Sequence, residues 1–461
     1  MFDLFKERSV SICYQTADET LLLTRDDNKE VGVEEARQEK NLTHHFRESG
    51  LTVLWAAVFI AGEMAGSGVL ALPKAVVDAG WIGLVLIVCF CVNAGYGGTR
   101  LGACWTIIEE RYPEHRTPVR NPYPIIALIA FGRKTSLLVS GCIQLTLFGA
   151  GTVYLLLASQ IIQELLEVFL PHIRFCEWFL VIALLISPAM WLGTPKDFRV
   201  VGIGAILTTA FACIFIFMQI VMDKSELKTP MQLTNPTFHS FFLAFGTILF
   251  SFGGASTFPT IQNDMLQRDK FSKSVIIGFI VILILYLPVA AGGYAVYGDS
   301  VNTNIILNLK KSLFVILANI LLAIHLVLAF LIVINPVCQD LEERFNIPRY
   351  FNWKRCVLRT VILGLMVFLG ESIPDFGKIL ALVGGSTITM TTFVFPPLFY
   401  MALCDQSSDR WTNRSIPLYL RVYMWELILI GVIGGAACTY NALSDIFDAD
   451  SMNKPCYVRA S

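Results

Sequence analysis

The chain has 461 residues, of which 55% are hydrophobic and 15% charged, and its formal net charge is −1. A soluble domain carries about 25% charged residues, so this composition excludes an ordinary soluble domain and indicates an integral protein of the lipid bilayer. The near-zero net charge gives no reason to expect nucleic acid as a partner.

The first 50 residues form a polar N-terminal tail of mixed charge, which we expect to be cytosolic and mostly disordered. The tail lacks an early apolar core, so the sequence predicts no cleavable signal peptide. Residues 18–23 resemble an acidic dileucine sorting signal, and the alternative interpretation is a short apolar patch in a disordered tail. The plasma membrane and an endolysosomal membrane therefore both stay open as locations.

Eleven apolar segments follow, each a candidate membrane-spanning helix. They cover roughly 52–77, 81–105, 137–166, 177–194, 199–222, 241–262, 274–297, 313–340, 357–372, 377–402 and 423–443, and the fourth and ninth are short. The predicted organisation is an all-α membrane domain over residues 51–443, followed by a C-terminal tail over residues 444–461.

Basic residues are concentrated in the loops on one side of this predicted bundle. By the positive-inside rule that side is cytosolic, which makes the N-terminus cytosolic and the C-terminal tail extracellular or lumenal. The glycosylation sequons at Asn41 and Asn413 then both face the cytosol and should stay unmodified. The opposite loops hold few basic residues, namely Arg174, Lys224, Lys228, Lys310 and Lys311.

A glycine-rich interruption lies in the middle of the first apolar segment. Gly62, Gly66 and Gly68 alternate there with polar residues that include Glu63 and Ser67. An unpaired backbone N–H or C=O in hydrocarbon costs several kcal/mol, so a helix break persists only where protein or a cavity meets those groups. The pattern indicates a buried polar site and is typical of the discontinuous helices of secondary transporters.

The sixth apolar segment contains a second interruption. Phe252, Gly253, Gly254, Ala255 and Ser256 place a glycine pair and a hydroxyl in its middle. Two interrupted segments, the first and the sixth, fall at equivalent positions if five segments are followed by five related ones. Because five is odd, the second set must be inverted in the membrane.

The sequence therefore predicts a 5+5 inverted repeat with discontinuous helices 1 and 6. Repeat one covers about 52–222, repeat two about 241–402, and an extra helix about 423–443.

The two interruptions suit a zwitterion. The outer half-helix that starts near Ser67 and Gly68 directs free N–H groups and its positive dipole end at the membrane centre, which favours a carboxylate. Unwound carbonyl groups around Gly253 can accept hydrogen bonds from an ammonium group. An α-amino acid is the obvious candidate substrate.

The third apolar segment adds three polar candidates for substrate contact, Gln144, Thr152 and Tyr154, of which Tyr154 is preferred. The complete predicted substrate-binding set is Gly66, Ser67, Gly68, Phe252, Gly253, Gly254, Ala255, Ser256 and Tyr154.

Several motifs in the right order resemble those of the amino acid/auxin permease family, over roughly residues 50–443. This resemblance implies an eleven-span, LeuT-type fold and amino-acid transport driven by protons or sodium, with no other cofactor. The matching stretches are residues 66–73, 252–265, 286–298, 373–378 and 395–400.

Glu63 departs from the pattern of that family, in which many members carry a neutral residue at this position. It lies three and four residues before Gly66 and Ser67 and so shares their helix face. A buried carboxyl group binds a proton more readily than an exposed one, which makes Glu63 the candidate for proton coupling. The alternatives are a structural hydrogen bond that stiffens the break, sodium coordination and contact with a charged substrate.

His325, in the eighth segment, is either a proton relay or a hydrogen-bonded packing residue. The twelve cysteines show no Cys-x-x-Cys spacing, so no metal or redox motif is predicted. Cys176, Cys438 and Cys456 lie where a disulfide is chemically possible, and their pairing stays open.

The predicted function is ion-coupled transport of an amino acid by alternating access, and the chain is not expected to be an enzyme. One alternative is a transporter-like sensor that binds amino acid with little flux, and another is a sodium-coupled or uncoupled exchanger. A membrane enzyme would need clustered His, Asp or Cys at one face, whereas the six histidines are dispersed. Which amino acid is carried, and any protein partner, stay unspecified.

Overall fold

The computed structural model describes residues 50–116, 119, 121–192, 198–226, 235–348, 350–448 and 455–459. The tail with residues 18–23 and Asn41 lies outside this part. The α-helices are α1 Val53–Met64, α2 Gly68–Ala79, α3 Ile82–Arg111, α4 Pro122–Phe131, α5 Arg133–Leu166, α6 Phe175–Leu192, α7 Phe198–Glu226, α8 Phe238–Ser251, α9 Phe258–Asn263, α10 Phe271–Tyr297, α11 Leu313–Arg344, α12 Trp353–Ser372, α13 Phe376–Val383, α14 Phe395–Asp405, α15 Leu418–Phe447 and α16 Cys456–Arg459.

Each predicted apolar segment coincides with a helix or a pair of helices. The first segment is the pair α1 and α2, bent by 61° at the break, and the sixth is the pair α8 and α9. The short helix α4 was not predicted, because its ten residues are too few to span a bilayer. All-α architecture is thus confirmed for the described residues.

Seven helices of the described chain are long and apolar enough to cross a bilayer, and the bent pair α1–α2 makes eight. The described helices α6 and α8 are apolar but shorter. These helices support an integral, multi-pass membrane protein. Helix length and apolar composition support seven or eight spans among the described residues. The eleven spans and the 5+5 repeat therefore stay predictions.

The outward faces of the helices are strongly apolar. Large side chains with roughly half or more of their surface exposed include Leu184 and Leu185 on α6, Ile284 on α10, Leu328 on α11 and Ile433 on α15. Soluble proteins rarely expose contiguous apolar patches of this kind, whereas bilayer hydrocarbon solvates them. The inward faces pack α2 against α8, α10 against α1, and α11 against both α5 and α7.

Between α13 and α14 the helix continues through two π-helical turns, Gly384–Ile388 and Met390–Val394. This stretch packs on α8 so closely that a Cβ atom on Gly384 would lie 1.9 Å from the carbonyl oxygen of Gly246. Glycine at both positions lets the two backbones approach, as small residues do in membrane helix pairs. The glycine pair therefore sets the spacing between α8 and this helix.

A disulfide joins Cys176, at the start of α6, to Cys456 of α16. The third candidate, Cys438, is a buried free thiol on α15 that donates to the carbonyl oxygen of Ala381. The bond closes a loop of 280 residues and ties the C-terminal residues back to the start of α6. Only the folded structure distinguishes this pairing from the others.

Replacing Gly384 by alanine should destabilise the protein by about 1–3 kcal/mol or prevent its folding, because the added methyl group meets backbone rather than a movable side chain. A thermal melt of the purified protein in detergent measures the effect. Gly364→Ala on α12 is the matched control: a Cβ there has no atom within 4 Å, and alanine favours the helix, so the melting temperature should not fall. Equal melting temperatures for both variants would contradict the proposed spacing role.

Candidate functional site

The two helix breaks lie side by side in the folded chain. A Cβ atom on Gly68 would stand 2.7 Å from Ser251 at the end of α8, and one on Gly254 would stand 2.9 Å from Cγ of Met64. Between them is a small, partly open pocket. Its lining residues are Glu63, Met64, Ser67, Gly68, Thr146, Leu147, Ala150, Tyr154, Phe250, Gly253, Gly254, Ser256, Val333 and Ile388.

Tyr286 on α10 stabilises the first break. Its hydroxyl group donates to the carbonyl oxygen of Met64 at 2.7 Å and accepts from the N–H of Gly66 at 3.3 Å. Breaking a helix leaves such groups without their usual i,i+4 partners. One fully buried phenol, distant in sequence, therefore supplies what the backbone loses between α1 and α2.

The second break is stabilised mainly by hydrogen bonds among its own neighbouring residues, within 249–257. The N–H of Phe252 donates to the carbonyl of Leu249, and the hydroxyl of Thr257 donates to the carbonyl of Gly254 at 2.9 Å. The ring of Phe252 is fully buried and packs near the ring of Tyr286. The two breaks thus share one aromatic neighbour, which couples their positions.

Glu63 is half-buried at the end of α1 and lines the pocket. Among the described residues, no hydrogen bond or ion pair is found for its carboxylate. The phenol of Tyr154 on α5 lines the same pocket. The carboxylate therefore lies at the cavity, and its role in coupling or in stiffening the break stays a prediction.

His325 on α11 packs against the first break and is not among the residues that line the pocket. Its Nδ1 lies 3.3 Å from the hydroxyl oxygen of Thr209, and its Nε2 would lie 3.0 Å from a Cβ atom on Gly66. The side chain is 2% exposed. Glycine at position 66 is thus what allows the imidazole to approach the backbone.

One face of α5 completes the wall of the pocket. Thr146, Ala150 and Tyr154 are spaced by four residues and all line it. Thr152, in contrast, donates its hydroxyl to the carbonyl of Phe148 and does not line the pocket. The hydroxyl of Thr146 donates to Thr387 at 2.7 Å and so links α5 to the π-helical stretch.

The predicted site residues fall into two groups. Lining the pocket are Glu63, Ser67, Gly68, Gly253, Gly254, Ser256 and Tyr154, whereas Gly66, Phe252 and Ala255 lie in the breaks without lining it. Gln144 is also outside the lining. Substrate contact by any of these residues stays a prediction.

Sequence reasoning missed several lining residues. Thr146 and Ala150 could have been found by stepping back four residues at a time from Tyr154 along one helix face. Ile388 and Val333 carry no such signal, because they are ordinary apolar residues brought in by α11 and the π-helical stretch. Tyr286 gives no local sign of its contact with Gly66, 220 residues away.

Comparison with known proteins identifies the family. The profile described as transmembrane amino acid transporter protein matches residues 49–443. The chain belongs to this family. Its curated relatives are named as transporters, in agreement with the prediction that the chain is not an enzyme.

Two relatives from Arabidopsis thaliana illustrate the similarity. The chain is 23% identical to amino acid transporter AVT1B over 400 residues, which are 84% of the chain and 69% of that protein. It is 26% identical to amino acid transporter AVT1H over 409 residues, covering 85% of the chain and 91% of that protein.

A solved structure shows the same fold at low sequence identity. The manganese transporter of Eremococcus coleocola superposes with a TM-score of 0.55 at 12% identity, covering 88% of this chain and 90% of that one. This likeness concerns the fold alone, which is that of a membrane transporter.

Replacing Tyr286 by phenylalanine should leave the backbone groups of Met64 and Gly66 unpaired in a buried setting, at a cost of about 1–3 kcal/mol. We expect a lower melting temperature and slower amino-acid uptake by the purified protein. Tyr294→Phe, two turns later on α10, is the control, since no described hydrogen bond involves its hydroxyl. A melt unchanged by Tyr286→Phe would show that the first break is stabilised by other means.

Proposed function

We propose that this protein is a secondary active transporter that moves amino acids by alternating access, coupled to proton symport. The observation that carries the proposal is the pocket between the two helix breaks, where backbone, hydroxyl groups and the Glu63 carboxylate converge. Membership of the transmembrane amino acid transporter family supports the substrate class. An apolar cavity with a few convergent polar groups is typical of small-molecule sites.

The substrate pose follows from the helix ends. Helix α2 has twelve residues, and its N-cap residue Ser67 makes no side-chain capping bond, so first-turn N–H groups are available to a substrate carboxylate. At the end of α8 the carbonyl of Phe250 already accepts from the N–H of Gly253, so the proposed acceptors for the substrate ammonium group are the next carbonyls, those of Ser251 and Phe252. An α-amino acid would lie between them with its side chain directed into the rest of the pocket.

Alternating access fits an inverted-repeat architecture of eleven spans. In that scheme one bundle rocks against the other around a central site, with the broken helices at the pivot. The bend of 61° between α1 and α2 and the gap between α8 and α9 place non-helical backbone next to the pocket. Small rearrangements at both breaks could then open the pocket to one side at a time.

Glu63 is the proposed proton carrier. A carboxylate facing a cavity with no bonded partner among the described residues is costly when charged, so protonation stabilises the loaded carrier. A proton taken from the acidic side would accompany the amino acid and leave on the cytosolic side. Sodium coupling, uncoupled exchange and sensing without flux are the competing outcomes of the test below.

Replacing Glu63 by glutamine should abolish accumulation driven by a pH gradient while leaving the protein folded. The test is uptake of labelled amino acids into proteoliposomes, under an imposed gradient of either pH or sodium. Wild-type protein should accumulate substrate above equilibrium under the pH gradient, whereas Glu63→Gln should only equilibrate it. Glu167→Gln, at an exposed ion pair with Lys311, is the matched control and should behave as wild type.

Full pH-driven accumulation by Glu63→Gln would move the proton role to another group, with His325 the next to test. Accumulation under the sodium gradient alone would favour sodium symport. Saturable binding with no flux under either gradient would favour the sensor. Each outcome is distinct, because binding, flux and ion dependence are measured separately.

We further propose that α16 and the start of α6 face the extracellular or lumenal side. Structural disulfides form and persist in oxidising compartments, so the Cys176–Cys456 bond supports the orientation expected from the basic loops. The loop between α14 and α15, with exposed Asp409, would then be cytosolic. The plasma membrane and an endolysosomal membrane both satisfy this arrangement.

A protease site inserted at Asp409 tests both the orientation and the bond. After cleavage, the two fragments should stay joined on a non-reducing gel and separate when reduced, because one carries Cys176 and the other Cys456. The fragments of a Cys456→Ser control should separate without reductant. Cleavage of sealed, right-side-out membranes by external protease would overturn the orientation.

A further inference from the structure

The charge of the pocket is set by one residue. Among the described lining residues, Glu63 alone has a carboxyl group. The described lining contains no lysine, arginine or histidine that could neutralise it when it is ionised. The other described lining residues are uncharged, so a charge inside the pocket has no opposite charge beside it.

The other polar side chains of the described lining are uncharged. They are Ser67, Thr146, Tyr154 and Ser256, and each carries a hydroxyl group. A hydroxyl group donates one hydrogen bond and accepts up to two, so these groups can solvate either an ammonium or a carboxylate group but cannot neutralise either. The side-chain chemistry thus offers an ammonium ion one anionic partner, Glu63, and offers a second carboxylate no cationic partner.

Among the described side chains, the helices packed around α1 add no cationic group next to Glu63. Their titratable side chains near the break are Tyr154 on α5, Cys213 on α7, Tyr286 on α10 and His325 on α11. Both phenols and the thiol are neutral over the physiological pH range. His325 contacts Thr209 and the Gly66 backbone and does not line the pocket.

We propose that the occluded pocket takes one positive charge in each cycle, and that either of two carriers supplies it. With a neutral amino acid, the charge is a proton bound by the Glu63 carboxylate. With a cationic amino acid such as lysine, it is the side-chain ammonium group, which pairs with ionised Glu63. This inference rests on the proposed function and extends it to substrate class and stoichiometry.

The charges balance in both cases. A zwitterion has no net charge, so a protonated Glu63 leaves the pocket neutral, and the proton leaves on the cytosolic side with the amino acid. Lysine has a net charge of +1, so an ionised Glu63 leaves the pocket neutral without a proton. An acidic amino acid would leave a negative charge even with Glu63 protonated, so it is excluded.

Glu63 lies within the same pocket as the proposed zwitterion site. That site lies between Ser67 on α2 and the end of α8, and Glu63, at the end of α1, lines the pocket four residues before Ser67. The flexible four-carbon stem of lysine lets its ammonium group reach beyond the zwitterion site to a second group of the pocket. Neutral substrates with short side chains leave this part of the pocket to the protonated carboxyl group.

The experiment compares alanine, lysine and glutamate as substrates for the purified full-length protein in proteoliposomes. A pH-sensitive dye trapped inside reports proton entry, and a potassium–valinomycin potential tests movement of charge. Alanine uptake should carry protons and respond to both the pH gradient and the potential. Lysine uptake should respond to the potential alone and carry no protons, and glutamate should not enter.

Variants at position 63 separate this inference from a folding defect. In Glu63→Gln, lysine uptake should fall by about tenfold or more, because the buried ammonium group loses its partner. Alanine should still equilibrate in that variant, which shows that the protein is folded. Glu63→Asp keeps the charge and should retain lysine uptake.

Two results would overturn the inference while leaving the proposed function intact. One is proton entry with lysine in the same amount as with alanine, and the other is alanine transport with protons but no lysine transport. Absence of flux for every amino acid would instead contradict the proposed function itself. Unchanged lysine uptake by Glu63→Gln would contradict the pairing of its ammonium group with Glu63.

Discussion

The structure depends on one constraint, that backbone polar groups inside a bilayer need partners within the protein. The break between α1 and α2 exposes the carbonyl of Met64 and the N–H of Gly66, and the hydroxyl group of Tyr286 bonds both. Because Tyr286 belongs to α10, the break is stable only when α10 packs against α1. A polar cavity in the membrane thus requires a particular tertiary arrangement, and the other helices are positioned around it.

The helices around the pocket also pack at very short distances. Gly68 of α2 lies against Ser251 of α8, and Gly384 lies against the carbonyl of Gly246 on α8, so these helices approach each other backbone to backbone. The π-helical turns beside Gly384 bring Ile388 into the lining. Regular α-helix would present a different face at that depth. The cavity therefore owes its shape to irregular helices, which membranes tolerate where they line a cavity or are buried in protein.

The pocket between the two breaks contains a carboxylate, that of Glu63. Its described walls carry no cation, and the hydroxyl groups of the lining can hydrogen-bond but cannot neutralise the Glu63 carboxylate. In the proposed mechanism, this carboxylate links the charge of the substrate to the transport cycle. Family membership agrees with amino-acid transport, and the solved transporter shares the fold.

The sequence by itself determined the membrane class, most of the helices and both breaks, and it placed Glu63 beside the first break, because hydropathy, glycine runs and isolated charges are local properties visible over a few residues. Only the tertiary structure decided that Tyr286 stabilises the break, that Thr146 and Ile388 line the pocket, and that Cys176 pairs with Cys456 while Cys438 stays free. Those contacts join residues as much as 280 positions apart. Their identity depends on which helix faces meet in space, and local residue patterns carry no record of that.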